Sequence, residues 1–391
     1  MRARSRNVNQ LEEVKIMANI LVAGGGFAGI VAAELLARKL GREHDIRLIS
    51  RSKQFVFYPA LVRLAFDECA AEEIEFNVRE SMANRKIRFI EGEVARVYPL
   101  EKRITIAHGD VEGNVHYDYL VMALGRRLKT ESVAGYFDHA NHLLTPSAAK
   151  KFGSALDKFK KGTAVIGYCE GARLPVPVFE TAFALSRKLE REGHRADCQI
   201  KIVVNESLDG MFGGVEINES LVESMTQHGI ELINNFSIGS LTADAVIATD
   251  GRALNYDLNM ILPPFCGPGA LVGTNLDDDQ GYVVVDTTMK ASKCESIYAI
   301  GDCVSLPGPK MGHMAVRQAR VAAENLMKEI RGERASVTYE HEIMMVIDAG
   351  GGESTFVHQD FGNEDGATIS QSRFWGWAKQ KQQQYWKAQH S

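Results

Sequence analysis

Gly24, Gly26 and Gly29 stand in the spacing G-x-G-x-x-G within VAGGGFAGI. A diphosphate-binding turn needs that spacing. The first glycine permits the tight turn, the second lets the backbone approach the phosphates, and the third lets a helix pack closely on a strand. The apolar run 19–23 before the motif predicts a strand, and 29–40 after it predicts a helix, which is the context the motif requires. The helix N-terminus would then present free N–H groups and a partial positive charge to the anion. The next predicted strand, 45–50, ends in LISRS where a carboxylate usually holds the ribose. Ser50 could still bond a ribose hydroxyl, and Arg51 could sit near adenine or phosphate.

A second constellation lies far along the chain. In SIYAIGDC (296–303) a buried strand runs into Gly301 and Asp302, which can place a carboxylate at a sugar-alcohol hydroxyl beside a backbone that permits close approach. Glu180 sits in the otherwise apolar helical run VFETAFAL, where a buried acid with a raised pKa could relay protons. Six cysteines occur, at 69, 169, 198, 266, 294 and 303, with neither a CxxC pair nor a zinc-like spacing, so neither a metal nor a disulfide framework is expected. Cys169 in GYCEGA and Cys266 in PPFCG are candidates for a redox pair if both reach one face of a cofactor.

These residues need elements to hold them. The chain has 391 residues, room for two or three domains at roughly 100–200 residues each. A second strand–loop–helix, TAVIG followed by VFETAFALSRKLE, repeats the opening logic about 145 residues on and predicts a duplicated fold. The expected architecture is α/β: two Rossmann-like, doubly wound dinucleotide-binding domains with a small C-terminal α/β membrane-association segment. The boundaries are a disordered extension over 1–16, a first dinucleotide domain over 17–150, a second over 151–284, a return to the first over 285–336 and a C-terminal membrane or dimer segment over 337–391. A net charge of −5 gives no reason to expect nucleic acid, and the longest apolar run, 20–33, is too short and glycine-rich to span a bilayer.

The second glycine loop, GYCEGARLPVPVFE, places Cys169 where the middle glycine belongs and Ala172 where the last belongs. A side chain at the middle position crowds a pyrophosphate, and Pro175 and Pro177 delay the helix, which argues against tight dinucleotide binding there. Glu206, after the following strand, leaves that question open. The tail 371–391 carries four basic residues, no acids and all three tryptophans. Such a segment favours a headgroup interface, with an aromatic dimer contact or packing on the body as competing uses.

The N-terminal glycine motif, YDYLVMALG (117–125) and the late AIGD together resemble the flavoprotein disulfide reductase superfamily over roughly residues 17–385. Two quinone-reducing branches fit, the sulfide:quinone oxidoreductases and the type II NADH dehydrogenases. GARLPVPVFETAF, MILPPFCG and PKMGHMA look more like the first. The resemblance implies FAD held along Gly24, Gly26, Phe27, Ala28, Gly29, Ser50, Arg51, Val94, Ala123, Gly125, Gly301, Asp302, Lys310 and Met311. It also implies that Lys310 lies at the pyrimidine end of the flavin, and that Phe265 lines a quinone pocket, with His313 or Glu180 handling protons.

The resemblance breaks at the cysteines that carry sulfur in the sulfide:quinone branch. Their places hold Leu144, Leu174 and Met345, which cannot form a persulfide. The expected function is therefore an FAD-dependent oxidoreductase passing electrons from an unidentified donor to a quinone, peripheral on the inner face of the cell membrane and without nucleic acid. The alternatives are a type II NADH:quinone dehydrogenase and a non-catalytic flavin-bearing partner or sensor.

Overall fold

The computed structural model describes residues 17–41, 43–208, 212, 217–350, 353–361 and 366–391. The expected extension over 1–16 lies outside the described residues.

The chain opens with β1 (Asn19–Ala23), α1 (Phe27–Leu40) and β2 (Asp45–Ser50), the strand–turn–helix–strand unit anticipated from the glycine motif. β3 (Arg88–Tyr98), β4 (Arg103–Gly109), β5 (Gly113–His116) and β6 (Tyr119–Met122) follow. The second unit contributes β7 (Gly162–Tyr168), α2 (Val176–Glu192), β8 (Cys198–Val203), β9 (Ile230–Ile233) and β10 (Leu258–Leu262). β11 (Ile297–Ala299) and α3 (Gly312–Ile330) come next, then β12 (Glu342–Gly350), β13 (Glu353–Asp360), β14 (Thr368–Gln371) and α4 (Arg373–His390).

A seven-stranded sheet runs in the order β11-β6-β1-β2-β3-β4-β5. Its first five strands are parallel, with Val22 beside both Leu48 and Val121, and Tyr298 beside Val121. The last three form an antiparallel meander. Ile20, Leu21 and Val22 are fully buried, as a parallel strand covered on both faces requires. β11 reaches this sheet only after the chain has built the second, four-stranded parallel sheet, β9-β8-β7-β10. Sequence separation between Asp302 and the glycine motif therefore vanishes in space.

The run 296–303 is shorter as a strand than expected. Pairing ends at Ala299, and a 3-10 turn over Gly301–Cys303 begins where Gly301 takes φ +76°. The C-terminal segment is a three-stranded antiparallel sheet, β12-β13-β14, followed by α4. No helix among the described residues is long and apolar enough to cross a membrane.

Candidate functional site

The three motif glycines do three different jobs. A Cβ on Gly24, at φ +118°, would stand 2.0 Å from the Ala123 carbonyl oxygen, so the turn runs directly against β6. A Cβ on Gly29 would stand 1.7 Å from the Gly24 carbonyl oxygen, so α1 folds back onto its own loop. A Cβ on Gly26 would meet nothing within 4 Å. That glycine keeps open a space the protein leaves unfilled, which suits a diphosphate approaching the backbone. α1 has no acidic residue in its first turn and no side-chain cap at Gly26, so its first N–H groups remain available to an anion. Gly25 brings the loop against Ser50, whose Oγ lies 2.7 Å from where its Cβ would be. Arg51 beside it is exposed. Ala123 ties the loop to the sheet through its N–H, which donates to the Ala23 carbonyl at 2.7 Å. Val94 lies half-buried on β3, at a register shift against β4. Gly125, at φ +71°, also faces open space.

Gly301 sits between the first turns of two helices. Its N–H donates to Gln318 Oε1 at 2.6 Å, and a Cβ there would lie 3.2 Å from that of Ala28 and 3.6 Å from that of Ala315. The ends of α1 and α3 meet directly: a Cβ on Gly312 would lie 3.3 Å from the Phe27 ring. Met311 is the half-buried N-cap of α3, and α3 too lacks an acid in its first turn. Two positive helix ends thus converge around the Gly301–Asp302 turn.

Asp302 forms an ion pair with Arg126, a residue the sequence reading did not single out. The Arg126 guanidinium lies 4.2 Å from the centroid of the Phe265 ring. Lys310 is buried; its ammonium donates to the Val304 carbonyl and lies 4.4 Å from the centroid of the Tyr282 ring. Burial, then the Arg173 charge, pushes the Lys310 pKa down to about 7, while Asp302 pulls the other way. Arg173, from the second glycine loop, donates to the carbonyls of Leu306 and Gly308, and its own carbonyl accepts from the Lys310 N–H at 2.8 Å. The loop expected to face a second dinucleotide is therefore fastened to the segment carrying Lys310. Tyr282 is fully buried, with its hydroxyl unpaired among the described residues.

The remaining candidates go elsewhere. Cys169 is buried in an apolar cluster with Tyr136, Val165, Phe236 and Ile261, and burial pushes its thiol up to about 12. Cys266 is half-buried in a two-stranded pairing, where its thiol donates to the Arg127 carbonyl at 3.9 Å. Both thiols are free. Glu180 is buried and holds its carboxylate between the Lys379 ammonium and the Asp348 N–H, the latter at 2.8 Å. Burial raises its pKa and Lys379 opposes that rise. Glu180 thereby joins α2 to β12 and α4, away from Asp302 and Lys310 in its contacts. His313, in the first turn of α3, is half-buried with Nε2 unpaired among the described residues; burial pushes its pKa down to about 4. Leu144 and Met345 are buried and Leu174 packs against the same core, so no thiol stands at these three positions.

A mixed seven-stranded sheet with five parallel strands, a second parallel sheet, a glycine turn with room for a diphosphate and a late Gly-Asp turn between two helix ends define a dinucleotide-dependent oxidoreductase whose residues fit FAD. Residues 18–323 match the pyridine nucleotide-disulphide oxidoreductase family, and the chain belongs to it. The chain is 26% identical over 335 residues to the sulfide-quinone reductase of Aquifex aeolicus, covering 80% of this chain and 77% of that protein. It is 22% identical over 362 residues to the type II NADH:quinone oxidoreductase of Haemophilus influenzae, covering 79% and 80%. The crystal structure of the Aquifex aeolicus sulfide:quinone oxidoreductase superposes with a TM-score of 0.87 at 23% identity, covering 94% of this chain and 90% of that one.

Proposed function

We propose that this chain is an FAD-dependent quinone reductase, similar to the sulfide:quinone oxidoreductases but taking its electrons from a donor other than protein-bound sulfur. The observation that carries this reading is a buried lysine, Lys310, fixed between the second glycine loop and the start of α3, close to the Asp302–Arg126 pair. Preorganised positive charge of this kind stabilises an anion that develops during reaction. FAD, when bound, would accept a pair of electrons and pass them on. Lys310 and the α3 N-terminus would stabilise the negative charge, while Asp302 would hold a hydroxyl of the cofactor. Phe265, buried beneath the Arg126 guanidinium, is the apolar residue we assign to the quinone side, and His313 is the proton-handling candidate, since Glu180 is held by Lys379 and the Asp348 N–H.

Leucine and methionine at 144, 174 and 345 argue against persulfide chemistry at those positions. The NADH reading is disfavoured by the second glycine loop, where Cys169 replaces the glycine and Arg173 spends its donors on the 306–308 carbonyls. The outer face of α4 exposes Phe374, Trp377 and Tyr385 together with Arg373 and Lys381, which suits a membrane headgroup layer. That face supports a peripheral position on a membrane surface, which we read as the inner face of the cell membrane.

Rapid mixing of the FAD-loaded protein with candidate donors tests the assignment. Bleaching by a small-molecule donor, followed by reoxidation with a soluble quinone, is expected. Fast bleaching by NADH at micromolar concentration would replace this reading with the NADH dehydrogenase one. FAD that no donor reduces would leave a flavin-bearing partner.

A further inference from the structure

The last helix of the chain reaches back to the first turn of the first. Trp386 of α4 is buried, its ring centroid 4.7 Å from that of Phe27 and 5.8 Å from that of Phe55. Phe27 also packs edge-on against Phe55 at 5.0 Å and Phe57 at 5.5 Å. Phe27 directly follows the second glycine of the motif, and its ring also abuts Gly312 at the start of α3. One ring thus separates two helix N-termini from the tail.

The tail is fastened along its whole length. Lys379 pairs with the buried Glu180, Gln383 accepts from Arg63 at 3.0 Å, and Lys387 donates to the Glu72 carbonyl. His390 meets Glu34 at 2.8 Å, and its carbonyl accepts from the buried Ser81. Glu34 belongs to α1 itself. The indole Nε1 of Trp386 is buried and has no hydrogen-bond partner among the described residues, so ring packing fixes this contact.

We infer that Trp386 is a positioning residue for the cofactor: by seating Phe27, the C-terminal helix sets the first turn of α1 and so the amide groups that receive the diphosphate. This rests on the reading that the Gly24–Gly29 loop holds FAD. A loop with four glycines has many accessible conformations, and an aromatic wedge restricts them before the ligand arrives.

The test measures FAD dissociation from the full-length protein by recovery of free flavin fluorescence, alongside the melting temperature of the FAD-free form. Trp386→Ala is expected to weaken FAD binding at least tenfold, Trp386→Phe to restore most of it, and Trp377→Ala, on the exposed face, to leave it unchanged. Phe152→Leu, in the core away from the tail, serves as a control for lost stability. If Trp386→Ala weakens FAD no more than Phe152→Leu does at equal melting temperature, the inference is overturned. Where Trp386→Ala does not fold, Arg63→Met and Glu34→Gln loosen the strap without touching the rings and are expected to speed FAD loss. No change in either overturns the inference. Weakening by Gly26→Ala but not by Trp386→Ala removes the strap alone, whereas indifference to both removes the FAD loop as well.

Discussion

The carboxylate of Asp302 is paired with the guanidinium of Arg126, which lies over the face of Phe265 at 4.2 Å. An arginine that answers a carboxylate with its edge and an aromatic ring with its face links the Gly-Asp turn to the proline-rich loop. Arg126→Gln is expected to destabilise the FAD-free protein by about 1–3 kcal/mol, the cost of leaving a half-buried charge without its partner. Denaturant unfolding measures this. Asp302→Asn breaks the same pair and should carry a similar stability cost, and in addition lower FAD affinity roughly 10- to 100-fold for one charged hydrogen bond lost.

Lys310 should leave its mark on reduction rather than on cofactor retention. Lys310→Met removes the cation but keeps the stem packed against Tyr282. It is expected to slow electron transfer to a soluble quinone by a factor of about 100, the scale for one preorganised donor. FAD content should be unchanged by spectroscopy. With its pKa near 7, wild-type Lys310 also predicts a rate falling as pH rises through neutrality, absent in the methionine variant.

His313 gives a stability signature. Its folded-state pKa is depressed from 6.5 to about 4, so the neutral ring is the form the fold accepts. The stabilisation is present above pH 6.5 and is lost as pH falls toward 4. His313→Asn should therefore flatten the loss of melting temperature over that window relative to wild type.

Glu180 and Lys379 form a buried pair in which the two deletions are unequal. Lys379→Met strands a buried carboxylate and is expected to cost about 3–5 kcal/mol, whereas Lys379→Met combined with Glu180→Gln recovers most of it. A double-mutant cycle by denaturant unfolding reads the difference.

Much of the first sheet and its glycine turn was legible because period and spacing act locally. Gly24, Gly26 and Gly29 each face the surroundings their positions imply. What the sequence could not display were partners far along the chain. Arg126 follows Gly125 with no signal of its own, and only the return of β11 beside β6 brings it to Asp302. Glu180 reads as an acid in an apolar helix, but the lysine that answers it is 199 residues away. Trp386 reads as one of several tail aromatics. At about 100° per residue it falls on the opposite side of the helix from Trp377, but which of those sides the body would cover was not written in the sequence; the fold covers Trp386 and leaves Phe374 and Trp377 exposed. Cys169 shows the same limit: a cysteine in a glycine loop suggests reactivity, and its burial among apolar side chains removes it.

The open space at Gly26 is where FAD binding is decided, and titration of FAD-free protein with FAD in a calorimeter measures it directly. Wild type should bind one FAD per chain, while Gly26→Ala, whose added methyl meets no protein atom within 4 Å, should keep the wild-type melting temperature and lose at least tenfold in affinity. Wild-type protein that takes up no FAD, or a Gly26→Ala variant that binds it equally well, would contradict the assignment.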